Sequence, residues 1–320
     1  MNKNTFSAAV LGASGYTGQE LVSLLARHPR LQAAFVTSEA EAGQPAPGGR
    51  HRYVRADEVA PGSVDVVFSC LPHGEAESRC LAAAAAGSLV VDLSSDLRDG
   101  RHGAVYGLTE HAREQVRGAR LVANPGCYPT GVLTALLPLL SAGLVDTART
   151  TMVNAASGVT GAGRTAKRDL LFGEVAEDFR AYGVGNTHRH VPEIARGLAV
   201  AGGDVPFVFT PHLLPVRRGI LETLYVPVTA GVGAGDVVRQ WDAAYADEPF
   251  VEVWREGVPS LRAAVGRNVV ALGAAEVVGV NEPLVLVVAA LDNLVKGAAG
   301  QALQNANLML GLCEHEGLPK

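Results

Sequence analysis

Short apolar runs recur through the first third of the chain, at 6–11, 33–37, 64–69, 89–93 and 121–123. Runs of this length, rich in valine and phenylalanine, read as buried strands. Between them lie helix-patterned stretches, 19–28 with apolar residues at 21, 22, 24 and 25, and 75–86. Strand and helix in alternation predict a Rossmann-type doubly wound parallel sheet in an α/β domain covering residues 1–126.

After a helical pattern at 130–142 the periodicity changes. Apolar segments at 151–155, 206–211, 220–228, 251–254, 268–272, 276–279 and 284–291 follow at strand-like spacing. They predict an α+β domain with a mainly antiparallel sheet over 127–296. Ala, Leu and Met recur periodically over 297–313, so a last helix is expected to pack back on the first domain. A chain of 320 residues, 48% apolar, has core material for two such domains.

Composition narrows the role. A formal net charge of −5 argues against a nucleic-acid partner. The longest apolar runs fall short of the roughly 20 residues a membrane helix needs, so no membrane partner is expected. The opening Met1-Asn2-Lys3-Asn4 leads directly into the first strand pattern without signal-peptide features, which predicts a cytoplasmic protein. Four cysteines, at 70, 80, 127 and 313, form no CxxC pair. They read as free thiols, not as a disulfide framework or a cysteine zinc cluster, and no metal is expected.

The first strand pattern ends in Gly12-Ala13-Ser14-Gly15-Tyr16-Thr17-Gly18. Glycines here let the backbone turn tightly and approach a pyrophosphate, whose charge meets the N-terminus of the next helix. The G-x-x-G-x-x-G spacing departs from the standard G-x-G-x-x-G, so its place after the first strand carries the reading. At the second strand's end Ser38, with Arg50 or Arg52, permits NADP, whereas Glu39 favours NAD if it points inward. Both cofactors stay open on these residues.

Asn124-Pro125-Gly126-Cys127-Tyr128-Pro129-Thr130 places a cysteine between a strand and a helix. The unpaired N–H groups of a helix N-terminus favour thiolate over thiol, and they can also bind an oxyanion on an attached acyl group. Cys127 is therefore the candidate nucleophile, against the plain alternative of a small buried side chain. His188-Arg189-His190-Val191-Pro192-Glu193 offers two imidazoles and a carboxylate for acid/base work. A zinc site formed with His212 or Cys127 competes, but no supporting ligand spacing accompanies it.

Ser157-Gly158-Val159-Thr160-Gly161-Ala162-Gly163-Arg164 is a glycine-rich loop ending in a cation, suited to a phosphate or carboxylate. His212 and Arg217, in the segment 210–219, are candidates for the same anionic substrate.

Taken together, GASGYTG at 12–18, LPHG at 71–74, NPGCYPT at 124–130, SGVTGAGR at 157–164, HRHVPEI at 188–194, PHLLPVRRG at 211–219 and DNLVKGAAGQALQNAN at 292–307 form a specific set. The chain resembles the N-acetyl-gamma-glutamyl-phosphate reductase family, in the wider group that includes aspartate-semialdehyde dehydrogenase. The resemblance runs almost end to end. It implies an enzyme that converts the acyl phosphate N-acetyl-L-glutamyl 5-phosphate to N-acetyl-L-glutamate 5-semialdehyde with NADPH, a step towards arginine. It places Cys127 on the family's nucleophile and implies a cofactor contact for Leu71, Pro72, Asn293 and Lys296. It further implies that 127–296 is the catalytic and dimerisation domain of a homodimer or homotetramer. A reductase of carrier-linked aminoadipyl or glutamyl phosphates shares this chemistry and is the alternative. A nucleotide-sensing Rossmann protein without catalysis is the alternative of another class.

Overall fold

The computed structural model describes residues 4–320. Along the chain the elements are β1 (Phe6–Leu11), α1 (Tyr16–Leu25), β2 (Leu31–Val36), β3 (Val66–Ser69), α2 (Glu77–Ala85), β4 (Leu89–Asp92), β5 (Val105–Tyr106), α3 (Thr109–Gly118) and β6 (Leu121–Ala123). There follow α4 (Cys127–Ser141), β7 (Thr151–Gly158), α5 (Phe172–Val175), β8 (Arg180–Ala181), α6 (Val191–Gly202), β9 (Phe207–Leu214) and β10 (Ile220–Pro227). The last are α7 (Ala234–Ala244), β11 (Val251–Trp254), β12 (Val270–Glu276), β13 (Leu284–Leu291) and α8 (Gly300–Met309).

The chain divides into two compact units. The described residues up to Gly126 join Ala298–Pro319 in the first, and Cys127–Gly297 forms the body of the second. The first unit is a six-stranded sheet in the order β2-β1-β3-β4-β6-β5, parallel throughout. Its strands are apolar on both faces because helices cover both. Ala8, Val10 and Phe68 pack with Leu21, Leu24 and Leu303, whereas Ala9, Val67 and Val90 pack with Cys80 and Ala83. Helix α8 thus belongs to the first unit. It is shorter than the expected 297–313, because a π turn over Val295–Ala299 precedes it.

The strand order reverses at β1, so the loops after β1 and β3 diverge at the carboxyl edge, where open α/β sheets bind ligands. Gly12 lies in this crevice with φ +73°, and a Cβ there would come 2.6 Å from the carbonyl oxygen of Cys70. Only glycine allows the two loops to approach in this way.

The second unit holds a seven-stranded sheet in the order β11-β12-β13-β10-β7-β9-β8. Two of its six pairings are parallel, β11 with β12 and β7 with β9; the other four are antiparallel, as the strand spacing implied. Helices α4, α6 and α7 form one layer, with α4 against β10 and β13 and between α6 and α7. Every residue of α4 from Tyr128 to Leu140 is buried, which explains an apolar sequence without a polar face.

Pro138 sits inside that helix and cannot donate to the carbonyl of Thr134. The Tyr245 hydroxyl donates to that oxygen instead, at 2.6 Å, and Trp241 Nε1 donates to the next carbonyl, Ala135, at 2.8 Å. Both donors come from the α7 region, so burial of the proline is matched by polar groups of a neighbouring helix.

Candidate active site

Cys127 is the first residue of α4 and is partly exposed. Two of the other cysteines are unsuited to nucleophilic work. Burial pushes the thiols of Cys70 and Cys80 up to about 12, and the nearby Asp92 carboxylate adds to both shifts. Cys313 is exposed, with its sulfur 3.5 Å from the His315 ring nitrogens.

Around the start of α4 the second unit gathers aromatic and imidazole rings. The Tyr128 ring meets His188 at 5.6 Å, His190 at 5.9 Å and Phe209 at 5.2 Å between centroids. The Tyr128 and Tyr182 hydroxyls are hydrogen-bonded at 2.9 Å. Burial raises both phenols, Tyr182 to about 12, and the charge of Cys127 contributes to each shift, so both hydroxyls lie within electrostatic reach of the sulfur.

His190 precedes the first turn of α6 as its N-cap and is 2% exposed. Helix α6 lies close beside α4, since a Cβ on Gly197 would come 2.5 Å from Leu133 Cδ1. Tyr128 meets His190 near the start of both helices and Leu133 meets Gly197 further along, so the two helices run in the same direction. Their N-termini lie together.

The two histidines differ. His188 Nδ1 accepts the backbone N–H of His190 at 3.1 Å. Burial, with help from the Arg189 charge, lowers His188 to about 4. His188 is therefore a neutral imidazole at physiological pH. Glu193 is buried three residues beyond, in the first turn of α6, on the same side of the helix.

A second set of loops carries the glycine-rich segment. Ser157, next to last in β7, donates its hydroxyl to the Gly158 carbonyl, and a Cβ on Gly158 would come 2.7 Å from the Arg218 backbone. Thr160 Oγ1 donates to the Arg217 carbonyl, and Asn293 Nδ2 donates to Thr160 Oγ1. Asn293 Oδ1 in turn accepts Gly219 N–H. Arg164 and Arg217 are exposed on these loops.

In the first unit, Gly12 N–H donates to Thr37 Oγ1 and Ala13 N–H to the Thr37 carbonyl, fixing the glycine turn to the end of β2. Ser38 Oγ donates to Ser14 Oγ at 2.9 Å. Glu39 turns to Arg55, 3.1 Å away, and accepts Ala56 N–H. Leu71 and Pro72 precede His73 and Gly74, whose loop is tied down where His73 Nδ1 accepts Ser95 N–H and Asp96 accepts Gly74 N–H.

The family described as semialdehyde dehydrogenase, NAD binding domain, matches residues 7–119, and that described as semialdehyde dehydrogenase, dimerisation domain, matches residues 127–293. The N-acetyl-gamma-glutamyl-phosphate reductase of Citrifermentans bemidjiense is 44% identical and covers 97% of both chains. The reductase of the same name from Rhodospirillum rubrum is 46% identical, over 98% of this chain and 97% of its own. The chain belongs to the N-acetyl-gamma-glutamyl-phosphate reductase family. Aspartate semialdehyde dehydrogenase II of Vibrio cholerae, solved with ASA, shares its fold with a TM-score of 0.78 at 20% identity, covering 96% of this chain and 98% of that one.

Within this reductase-family chain the structure brings Cys127, Tyr128, Tyr182, His188 and His190 together. It does not bring His212 to them. His212 pairs with Ala156 and Ala181, and alternation along β9 puts it on the face opposite Phe209. There it stacks on Phe179 at 5.0 Å. Arg50 and Arg52 bond the carbonyls of Ala26 and Gly43, away from Ser38.

Sequence reasoning missed Tyr182, Asn186 and Thr37. Asn186, at φ 61°, donates to the Phe207 carbonyl and accepts Phe209 N–H, mooring the histidine segment to the edge of β9. An asparagine two residues before His188 was the available signal, since asparagine tolerates the left-handed region. Among the described residues no cluster of three or more His, Cys, Asp or Glu could hold a metal, and no helix is long and apolar enough to cross a membrane.

Proposed function

We propose that the chain catalyses the NADP-dependent reductive dephosphorylation of N-acetyl-L-glutamyl 5-phosphate to N-acetyl-L-glutamate 5-semialdehyde through a Cys127 thioester, in arginine synthesis. The placement of Cys127 as the first residue of α4, near the imidazoles that open α6, carries this reading.

The Cys127 thiolate attacks the acyl carbon, forming the C–S bond as the C–O bond to phosphate breaks. Reduced nicotinamide supplies a hydride when bound. The oxyanion of the resulting thiohemiacetal at Cys127 draws on N–H donors at the start of α4, and its collapse breaks the C–S bond and frees the aldehyde. His190, close by and oriented through Glu193, holds the thiol ionised and handles the proton at collapse. His188 supports it as a neutral hydrogen-bond acceptor. Arg164 and Arg217, with Ser157 and the Gly158 backbone, hold the anionic ends of the substrate.

The first unit fits a dinucleotide. Gly12 and Gly18 let the turn pack tightly, since a Cβ on either would come 2.6 Å from backbone, of Cys70 and of Ala13 respectively, and Gly15, Tyr16 and Thr17 open the helix that faces the pyrophosphate. The Ser14–Ser38 hydroxyl pair suits the 2′-phosphate of NADP, while Glu39 spends its charge on Arg55. Leu71 and Pro72 are assigned to the cofactor. Asn293 is assigned an indirect part, since both ends of its amide bond loop groups.

The outward face of the second sheet exposes Met152 and Val208 and suits a homodimer or homotetramer. Four free cysteines suit a cytoplasmic setting.

Phosphate-dependent reduction of NADP tests the reading, comparing N-acetylglutamate semialdehyde with aspartate semialdehyde. Turnover confined to the acetylated aldehyde is expected. Turnover of aspartate semialdehyde alone would overturn the substrate, and none with either would point to a carrier-linked substrate.

A further inference from the structure

Gly297 stands directly against the nucleophile. A Cβ there would come 2.8 Å from Cys127 Cβ and 3.2 Å from Cys127 Cα, inside the contact distance of two carbons. On its other side the carbonyl oxygen of Asp292 is 3.2 Å from the same position. A side chain at 297 has no room on either flank.

The backbone that carries Gly297 is fixed by an unusual hydrogen bond. Gly297 N–H donates to the Asp292 carbonyl at 2.8 Å, a span of five residues that leads into the π turn Val295–Ala299. Such turns interrupt the α-helical register and recur at functional sites.

Asp292 is fully buried and holds the segment through its carboxylate. It accepts Arg218 Nε at 2.8 Å, Gly266 N–H at 2.7 Å and Leu294 N–H at 2.9 Å. The next residue, Asn293, ties the same segment to Gly219 and Thr160. A chain of rigid contacts therefore runs from the β9–β10 loop, through Asp292 and the wide turn, to the Cβ of Cys127.

We propose that Gly297, held by the Asp292-anchored π turn, is a positioning residue that sets the Cys127 sulfur for attack. The inference rests on Cys127 being the nucleophile. Both partners of Gly297 are braced, Asp292 by its hydrogen bonds and α4 by burial from Tyr128 onward. Cys127, at the end of its helix and partly exposed, is the part that yields when a methyl group is added.

The test is Gly297→Ala. Alanine is the better helix former by roughly 1 kcal/mol, so backbone propensity alone would not harm this variant. Turnover in the aldehyde-oxidising direction should fall about tenfold to a hundredfold in kcat, the scale of an ångström-sized misplacement, with the KM for NADP unchanged. Iodoacetamide labelling read by peptide mass spectrometry should change in rate at Cys127 and stay constant at exposed Cys313, an internal reference. Parental kcat and a parental Cys127 labelling rate would overturn the proposal. Should that variant fail to fold, Asp292→Asn, which keeps the shape and weakens the Arg218 pair, is read in the same way, and there too parental values overturn it. Cys127→Ser separates the two claims: retained turnover would sink the thioester reading itself, whereas a dead Cys127→Ser with an unaffected Gly297→Ala sinks only the positioning role.

Discussion

The backbone N–H of His190 donates to Nδ1 of His188 at 3.1 Å. One ring is thereby fixed as an acceptor and, with burial, held neutral, which sets apart two histidines that look equivalent in sequence. His190→Ala is expected to lower kcat by about 10² to 10⁴, the usual worth of a general acid/base. His188→Asn, which keeps an acceptor near the same place, should cost far less. Steady-state kinetics of the two variants decides the assignment, and equal losses would remove the distinction.

The same burial of His188 has a consequence for stability. Its folded value is lowered from 6.5 to about 4. Between these limits the unfolded chain binds the proton and the folded one does not, so stability contributed by the neutral ring is complete above pH 6.5 and is lost as pH falls towards 4. Thermal melts across pH 7 to 4 should show a decline that His188→Asn reduces.

Glu222 shows the opposite sign. It lies fully buried on β10 beneath Gly131 of α4, and neither carboxylate oxygen has a hydrogen-bond partner among the described residues. Burial raises it well above its ordinary 4.5. The unfolded chain ionises above pH 4.5 while the folded one stays protonated, so stability falls as pH rises. Glu222→Gln should raise the melting temperature at pH 8 and flatten the alkaline slope; an unchanged slope would contradict this account.

Cofactor choice is expected to rest on the Ser14–Ser38 pair. Ser38→Asp places a negative group beside the 2′-phosphate and should raise the KM for NADP about tenfold or more while sparing NAD, given the several-kT cost of close like charges. Glu39→Gln should change little, because its carboxylate already faces Arg55. Initial rates with both nucleotides give the ratio.

Tyr245→Phe removes the donor that replaces the missing Pro138 N–H. A buried carbonyl left unsatisfied costs about 1–3 kcal/mol. Denaturant melts should show that loss, with KM values unchanged.

Much was legible along the chain because it depends on local pattern. The buried strands 6–11 and 121–123, the glycine turn at 12–18 and the cysteine opening a helix follow from periodicity, from glycine's conformational freedom and from the unpaired N–H groups of a helix end. The succession of a parallel sheet and a mainly antiparallel one follows likewise, since a long alternating pattern followed by a β-rich one buries its apolar faces in two separate sheets, although the expected segments 268–272 and 276–279 correspond to one strand, β12. The short edge strands β5 and β8, two residues each, carry too little pattern to announce themselves.

What the tertiary structure alone decided are relationships across long separations. The face of β9 on which His212 falls depends on pairing with β7 and β8, the neutrality of His188 on desolvation, and the direction of Glu39 on an arginine sixteen residues away. Gly297 against Cys127 is the widest of these, 170 residues apart in the chain, yet a carbon added at Gly297 would come 2.8 Å from Cys127 Cβ. A sequence specifies local propensity directly, but burial, steric exclusion and charge pairing exist only once the distant parts have packed, and those are the terms that assign each residue its task.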